Sequence, residues 1–255
     1  MYHYSWLELI PGLEHALEGI HVAGYEVGPN ALAIMSAWFV CFVLVGLALI
    51  ARRGLDAAAA RQGNERYLAD SGLNVRTAFE LLTEGLDNLF TSVLGKHDAR
   101  TFFWLLAGLF AYILTSNLMG LMPGLVPPTD NVNTNLAMAL VVLVVYNGVG
   151  IMRQGVVAYF KHMAGPMLAI SVLILPIEML TMFVVRPMSL TLRLTGNIFG
   201  DHTVFGIFSG LFYPYVPMSW IFLGLGLMVS VIQALVFTLL TSVYISLAAP
   251  HGDHH

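Results

Sequence analysis

Long runs without a charged residue alternate with short polar segments along this chain. The uncharged runs cover residues 31–51, 101–129, 131–152 and 203–252. A helix needs about 20 predominantly apolar residues to cross the hydrocarbon core of a bilayer, and these runs reach or exceed that length. The pattern predicts an all-α polytopic membrane protein with about five membrane helices, organised as a single membrane domain over residues 1–255.

Residues 75–95 follow a different pattern. Apolar side chains recur at positions 75, 79, 82, 86, 89 and 93, whereas Glu80, Glu84, Asp87 and Asn88 occupy the other side. Spacings of three and four residues are typical of a helix with one apolar face. We therefore expect an amphipathic helix that lies in the membrane interface or covers an embedded partner.

The last third of the chain is the most apolar part. Residues 166–212 and 217–249 form two stretches that are each longer than a perpendicular crossing requires, with the turn sequence YPYVP between them. Helices longer than the bilayer is thick tilt to keep their apolar residues in lipid. We expect residues 166–249 to form two long, strongly tilted helices.

Composition and charge refine this picture. The chain is 58% hydrophobic and 10% charged, whereas soluble domains carry about 25% charged residues. Seven of the eleven Lys and Arg residues lie in residues 52–100, while residues 1–30 and 118–135 contain none. Because Lys and Arg accumulate in cytoplasmic loops, residues 1–30 are predicted to be an external segment. Helix 75–95 and the C-terminus are then on the cytoplasmic side.

Polar residues share one stripe in the apolar last third. On an α-helix that turns about 100° per residue, five of them fall within about 80° of Arg193. They are Glu178, Arg186, Ser189, Asn197 and Asp201. Pro187 is expected to kink the helix locally.

Two interpretations of this stripe remain open. It is either a structural feature closed by salt bridges, such as one between Glu178 and Arg186, or part of an ion path. Arginine in the middle of a membrane costs about 2.5–3.5 kcal/mol on the mildest scale, and it keeps its proton at physiological pH. Arg193 is therefore suited to be a fixed positive charge and unsuited to carry protons, and this favours the ion path.

His202 and Gln233 extend the set of candidate residues. His202 follows Asp201 near one end of the stripe, and an imidazole titrates near neutral pH, so it is either a proton relay or a structural residue. Gln233 shares a face of the last helix with Gly226, Ser230 and Tyr244. Small residues allow helices to approach closely, and Gln233 can hydrogen-bond across the contact.

At these residues the sequence resembles subunit a of the F-type ATP synthase of bacteria. The resemblance rests on RPMSLTLRLTGN at residues 186–197, together with PTDNVNTNLAMAL and IQALVFTLLTSVYISLA. These segments fall within residues 100–249. This sequence departs from the family's pattern in two places. Gly226 stands where relatives often have an ionisable residue. Glu178 lies eight residues before Arg186, where a spacing of about seven is expected.

The resemblance implies a role for each matching residue. Arg193 corresponds to the essential arginine that faces the rotating ring of c subunits. The residues assigned to two aqueous proton half-channels are Asn197, Asp201, His202, Gln233, Asp130, Glu178, Arg186 and Ser189. Of these, Glu178, Arg186 and Ser189 belong to the cytoplasmic half and the others to the outer half, with Asp130 near the entrance.

The resemblance also implies partners and location. The expected partners are the c-ring, the peripheral-stalk subunit b, the rest of the ATP synthase complex and membrane lipid, with no nucleic acid. The expected location is the bacterial plasma membrane, and the subunit is expected to have no catalytic activity, cofactor or metal of its own. The alternative is a stand-alone anion transporter or channel that uses Arg186 and Arg193; unbroken long helices and the absence of inverted repeats argue against it.

Overall fold

A computed structural model describes most of the chain as helices. The described residues are 21–22, 25–26, 28–59, 75–122, 125–164, 168–212 and 219–248. The helices are α1 (Gly28–Ala59), α2 (Val75–Leu94), α3 (Lys96–Gly120), α4 (Val132–Gln154), α5 (Val156–Ala164), α6 (Leu168–Leu180), α7 (Arg186–Phe212) and α8 (Ser219–Ala248). A 3₁₀ turn covers Pro128–Asp130, and a π-helical segment covers Thr181–Val185.

Five helical segments of the described chain are long and apolar enough to cross a membrane. They are Leu32–Gly54, Lys96–Gly120, Val132–Gln154, Leu173–Asp201 and Leu223–Ala248. The predicted polytopic helical membrane protein with about five spans is therefore confirmed. The tilt of the last two helices and the division into a single domain remain predictions.

The residues before α1 add one small departure from an all-α protein. Strands β1 (His21–Val22) and β2 (Tyr25–Glu26) pair antiparallel, with His21 opposite Glu26 and Val22 opposite Tyr25. Valine and tyrosine favour extended backbone, which the membrane-span pattern does not reveal. The remainder of segment 1–30 before β1, and the predicted turn at residues 213–217, lie outside the described residues.

Helix α2 has the predicted bounds and an apolar face. Leu86, Phe90 and Leu94 are buried at intervals of four residues, whereas Leu81 is 60% exposed. The buried face packs against α3 and α8. The buried stripe therefore runs through Leu86, Phe90 and Leu94, and only Leu86 belongs to the predicted apolar face; Leu89 of that face is partly buried.

Helices α3, α4, α7 and α8 form the centre of the bundle, where α3 contacts α8 and α4 contacts α7 and α8. Fully buried side chains from each helix meet there, including Leu106, Ile113, Val142, Leu194 and Phe237. Large apolar side chains such as Phe42, Trp104, Val144 and Phe199 are exposed on the outside. That distribution suits a lipid environment, where packing rather than water exclusion joins the helices.

One end of the bundle is held by polar contacts among three helices. Both amino groups of the Arg153 guanidinium donate to the carboxylate of Asp98 over 2.7 Å, and Asp98 is buried in the first turn of α3. Beside them, Gln154 Nε2 donates to the carbonyl of Ala248 at the end of α8. We call this the Arg153 end, and the opposite end, with the 3₁₀ turn, the Asp130 end.

The predicted helix over residues 166–212 is interrupted where the π-helical segment joins α6 to α7. Pro187 has no N–H and its ring crowds the carbonyl four residues earlier, so the backbone widens just before it. The irregularity that the structure contains is the π-helical segment Thr181–Val185, whereas a kink at Pro187 remains a prediction. A π-helical segment accommodates about one extra residue within an α-helix, and this changes the register between the two halves.

Helix α5 was not anticipated from the sequence. Gly155 ends α4 with φ of 80°, a conformation that glycine adopts readily. The chain then turns back, and the ring of Tyr159 covers Gly150, where a Cβ atom would collide with it. The sequence indicates this helix only by Gly155 and the nine residues after it. A helix this short is not distinguished from the adjoining membrane spans by its apolar pattern.

Candidate functional site

Arg193 is exposed on α7 among apolar side chains. Leu192 and Phe199, close to it along the helix, are 61% and 69% exposed. Within the described part of the chain, no hydrogen bond or ion pair involves the Arg193 guanidinium. A charge held at membrane depth normally has a partner, so this surface is suited to receive an acidic group from another molecule.

One helical turn further along α7, Asn197 Nδ2 donates to Oε1 of Gln233 on α8. Gln233 is 3% exposed, and its Nε2 has no hydrogen-bond partner among the described residues. Buried amides without protein partners are commonly satisfied by water. The hydrogen bond that the sequence suggested for Gln233 across the helix contact is therefore present, with donor capacity left over.

A second set of polar side chains connects the Asp130 end to α7. Thr129 Oγ1 donates to Oδ1 of Asn117 over 3.0 Å, and Asn135 Nδ2 donates to the carbonyl of Thr129 over 2.7 Å. The same Nδ2 lies 2.8 Å from Oγ1 of Thr195 on α7. The remaining Asn135 Oδ1 is buried without a partner among the described residues. These groups form a buried polar route from the 3₁₀ turn to within two residues of Arg193.

Sequence reasoning did not select Asn117, Thr129, Asn135 or Thr195 as site residues. A usable signal was present, because Asn117 interrupts an otherwise apolar run and polar residues in spans usually face protein or a water-filled cavity. The buried threonines gave no such signal, since a hydroxyl can bond its own helix carbonyl. Their role depends on tertiary placement.

Gly226 faces a side chain that fills the space beside it. A Cβ atom at Gly226 would lie 2.6 Å from Cδ2 of Leu121, which follows the end of α3. A larger residue at this position would need Leu121 to move. The apolar side chain of Leu121 therefore fills the space that a side chain at Gly226 would need.

The Glu178–Arg186 pair lies nearer the Arg153 end. Arg186 Nη2 is 3.2 Å from Oε1 of Glu178, and the two side chains are 19% and 39% exposed. In a continuous α-helix, residues eight apart would differ by about 80° in direction. The π-helical segment absorbs about one residue, so the difference falls to about 20°. The eight-residue spacing thus places the carboxylate on the same face as the guanidinium.

Two adjacent aromatic rings lie against the Arg186 guanidinium. Its central carbon lies 5.7 Å from the ring centroid of Tyr146 on α4 and 5.2 Å from that of Tyr244 on α8. Both distances are within the range of cation–π attraction. Burial raises the pKa of the nearby Tyr159 phenol on α5, with the positive charge of Arg186 opposing that rise and the negative charge of Glu178 adding to it.

The other predicted residues lie elsewhere along α7 or at the 3₁₀ turn. Ser189 is exposed one turn before Arg193, Asp201 is half-buried on α7, and Asp130 is exposed at the 3₁₀ turn. His202 belongs to α7, but its side chain lies outside what the structure describes. Contacts therefore bring together Asn197 with Gln233 and Glu178 with Arg186. At about 1.5 Å per residue, these groups flank Arg193 on opposite sides along α7.

Comparison with known proteins identifies the family of this chain. Residues 34–246 match the ATP synthase A chain family. The chain belongs to this family. The ATP synthase subunit a of Bdellovibrio bacteriovorus is 36% identical to it over 254 residues, which is 98% of this chain and 99% of that protein.

Other members of the ATP synthase A chain family are similarly related. The subunit a of Sorangium cellulosum is 40% identical over 76% of this chain and 75% of its own length. That of Trichlorobacter lovleyi is 39% identical over 85% and 86% of the two chains. This agreement supports neither a stand-alone anion transporter nor an anion site at Arg186 and Arg193.

Proposed function

We propose that this protein is the proton-translocating subunit a of an F-type ATP synthase. The observation that carries the proposal is the exposed Arg193 guanidinium, which has polar clusters on both sides along α7. The cluster toward the Asp130 end contains Asn197, Gln233 and the polar route from the 3₁₀ turn through Asn135. The cluster toward the Arg153 end contains Glu178 and Arg186.

In this function the two clusters line separate aqueous half-channels. A carboxylate on a rotating ring of c subunits receives a proton from one half-channel and crosses the lipid in its neutral form. It releases the proton into the other half-channel and passes Arg193 as an anion. A fixed positive charge stabilises the ionised carboxylate, and it keeps protons from crossing directly between the half-channels.

The driving force and the partners follow from this scheme. Each proton that crosses is worth about 2.3 kcal/mol per 100 mV of membrane potential. The subunit converts that energy to rotation only in complex with the c-ring, while the peripheral-stalk subunit b holds it stationary. It is a non-catalytic membrane subunit, and ATP chemistry takes place elsewhere in the complex.

The location is the bacterial plasma membrane, with the N-terminus outside and the C-terminus in the cytoplasm. The charged Asp98 and Arg153 meet at one end, and Lys161 follows soon after in α5. The positive-inside rule places that Arg153 end in the cytoplasm. The half-channel with Glu178 is then cytoplasmic, and the half-channel with Asn197 and Gln233 opens outside.

Arg193→Ala tests the proposal in inverted vesicles that contain the assembled complex. We expect loss of proton-driven ATP synthesis with near-normal amounts of the subunit in the membrane. Arg53→Ala, at an exposed position of α1, is the matched control and retains synthesis. Normal synthesis by Arg193→Ala would refute the mechanism.

A further inference from the structure

Arg186 is held from several directions, although arginine side chains are long and flexible. Tyr146 and Tyr244 present their rings to its guanidinium from α4 and α8, and their ring centroids are 5.9 Å apart. Glu178 supplies the ion pair from across the π-helical segment. The three contacts come from three parts of the fold, so they fix the guanidinium in space.

Tyr146 and a further tyrosine, Tyr159, contact the π-helical segment. Tyr146 Oη donates to the carbonyl of Met182 over 2.9 Å. Tyr159 Oη donates to Oδ1 of Asn147 over 2.9 Å and lies 3.2 Å from the sulfur of Met182. Tyr146 and Met182 are 1% and 2% exposed. The point where the helix register changes is therefore attached to α4 and α5.

We propose that Tyr146 and Tyr244 are positioning residues that hold the Arg186 guanidinium so that it orients Glu178 in the half-channel of the Arg153 end. This inference rests on the proposed function of the subunit. Tyr146 acts on both elements of the pair, through its ring on Arg186 and through its hydroxyl on the π-helical backbone that follows Glu178. Tyr244 acts through its ring on Arg186.

A fixed Arg186 matters because a second arginine lies close by on the same helix face. Arg186 and Arg193 are seven residues apart, about 10 Å along the axis. A mobile Arg186 could extend toward the exposed surface and compete with Arg193 for a passing carboxylate. Held against the two rings it remains beside Glu178, and Arg193 is left as the cation presented to the c-ring.

The electrostatic surroundings of Glu178 are set by neighbouring elements. Four described titratable groups on four elements interact with Glu178 or with each other there: Arg186 on α7, Tyr146 on α4, Tyr159 on α5 and Tyr244 on α8. Arg186 is the only cation among these four. A change in its position therefore alters the attraction on the Glu178 carboxylate directly.

The test uses vesicles with the whole complex, in which the pH on each side is set independently. Proton flux is normalised to the amount of subunit a. Tyr244→Phe keeps an aromatic face, so its flux is expected to stay within about twofold of the parent. Tyr244→Leu removes that face and is expected to lower flux by about fivefold, with a changed dependence on pH at the Arg153 end and an unchanged one at the Asp130 end.

Two further variants distinguish positioning from general packing. In a Glu178→Gln background, Tyr244→Leu is expected to have no additional effect, because the carboxylate it acts on is gone. Tyr146→Leu is compared in the parent and in the Glu178→Gln background in the same way. It tests the positioning role if Tyr244→Leu does not assemble. Equal flux in the Phe and Leu variants, full additivity with Glu178→Gln, or a response to pH at the Asp130 end would each overturn the proposal.

The proposed function is checked separately in the same preparations. If Arg193→Ala abolishes ATP synthesis while the tyrosine variants match the parent, the positioning role fails and the proposed function stands. If Arg193→Ala synthesises ATP normally, the proposed function fails.

Discussion

Asn197 on α7 donates a hydrogen bond to Gln233 on α8, one helical turn beyond Arg193. Because Gln233 is buried and its Nε2 has no partner among the described residues, this pair both joins two helices and offers a free donor. It is thus placed to hold α7 against α8 one turn from Arg193 and to bind water there.

Gln233→Leu is expected to reduce proton-driven ATP synthesis by roughly tenfold, because Asn197 loses its acceptor and the free donor disappears. Gln233→Glu retains an acceptor for Asn197 and serves as the conservative comparison for assembly. ATP synthesis and the amount of subunit a in inverted vesicles are measured together. A Leu variant with parental activity would show that the amide pair is only a packing contact.

Arg193→Lys is expected to fail almost as completely as Arg193→Ala. An ammonium group lacks the planar fork of the guanidinium and loses its proton more readily at membrane depth. ATP synthesis and passive proton flux in the same vesicles report coupling and leakage separately. Efficient synthesis by the Lys variant would mean that a positive charge alone suffices and that the guanidinium geometry does not matter.

The apolar pattern was sufficient to predict the membrane spans and the bounds of α2, because each depends on local periodicity. The Glu178–Arg186 contact shows where such reasoning stops. Its residues were correctly placed on one stripe, but the eight-residue spacing is explained by a π-helical segment whose register change a regular helical wheel does not contain.

Tertiary contacts account for the site residues that were missed. The sequence analysis did not select Tyr146 or Tyr159, yet their hydroxyls donate to the carbonyl of Met182 and to Oδ1 of Asn147. Asn135 contacts Thr195 across 60 residues of sequence. Neither periodicity nor composition contains the relative rotation of two helices, so these pairings required the assembled bundle.

Arg153→Ala is expected to destabilise the subunit more than Asp98→Ala. Asp98 has a 7% exposed side chain and would be left buried with a weaker partner in His97, whereas the 37% exposed Arg153 can reach solvent. We expect a cost of about 1–3 kcal/mol for the former. Thermal unfolding in detergent measures both, and the double variant should recover part of the loss. A larger effect of Asp98→Ala would contradict this ranking.

Single-cysteine labelling tests the predicted topology. In a Cys41→Ser background, a cysteine at position 60 is expected to react with an impermeant reagent only in inverted vesicles, because residues 52–100 carry most of the positive charge. A cysteine at Asp130 is expected to react in intact cells. Labelling of position 60 from outside would reverse the assignment of both ends of the bundle.

The outer half-channel can be assigned to Asp201 or His202 by comparing their pH profiles. His202→Leu removes an imidazole, which titrates near pH 6.5, so proton flux is expected to fall and to lose its dependence on external pH near neutrality. Asp201→Asn removes a carboxyl group instead, so the variant with the larger loss of flux identifies the main relay. Parental profiles for both variants would place the outer route elsewhere, along Asn117 and Asn135.

The contact between Gly226 and Leu121 provides the last test, because Leu121 fills the space that a larger residue at Gly226 would need. Gly226→His would add an ionisable group beside the route past Gln233, but its Cβ would lie 2.6 Å from Leu121 Cδ2. Overpacking of this kind costs about 1–3 kcal/mol. Gly226→His alone is therefore expected to lower both assembly and ATP synthesis.

Adding Leu121→Ala to Gly226→His vacates the space and is expected to restore assembly. In a His202→Leu background, the same pair is expected to raise ATP synthesis if the new imidazole reaches the polar groups beside Gln233. Membrane levels of the subunit and ATP synthesis in the double variant and in the triple variant with His202→Leu measure these effects. If Leu121→Ala gives no relief to Gly226→His, the contact between Leu121 and Gly226 does not decide which residue the position accepts.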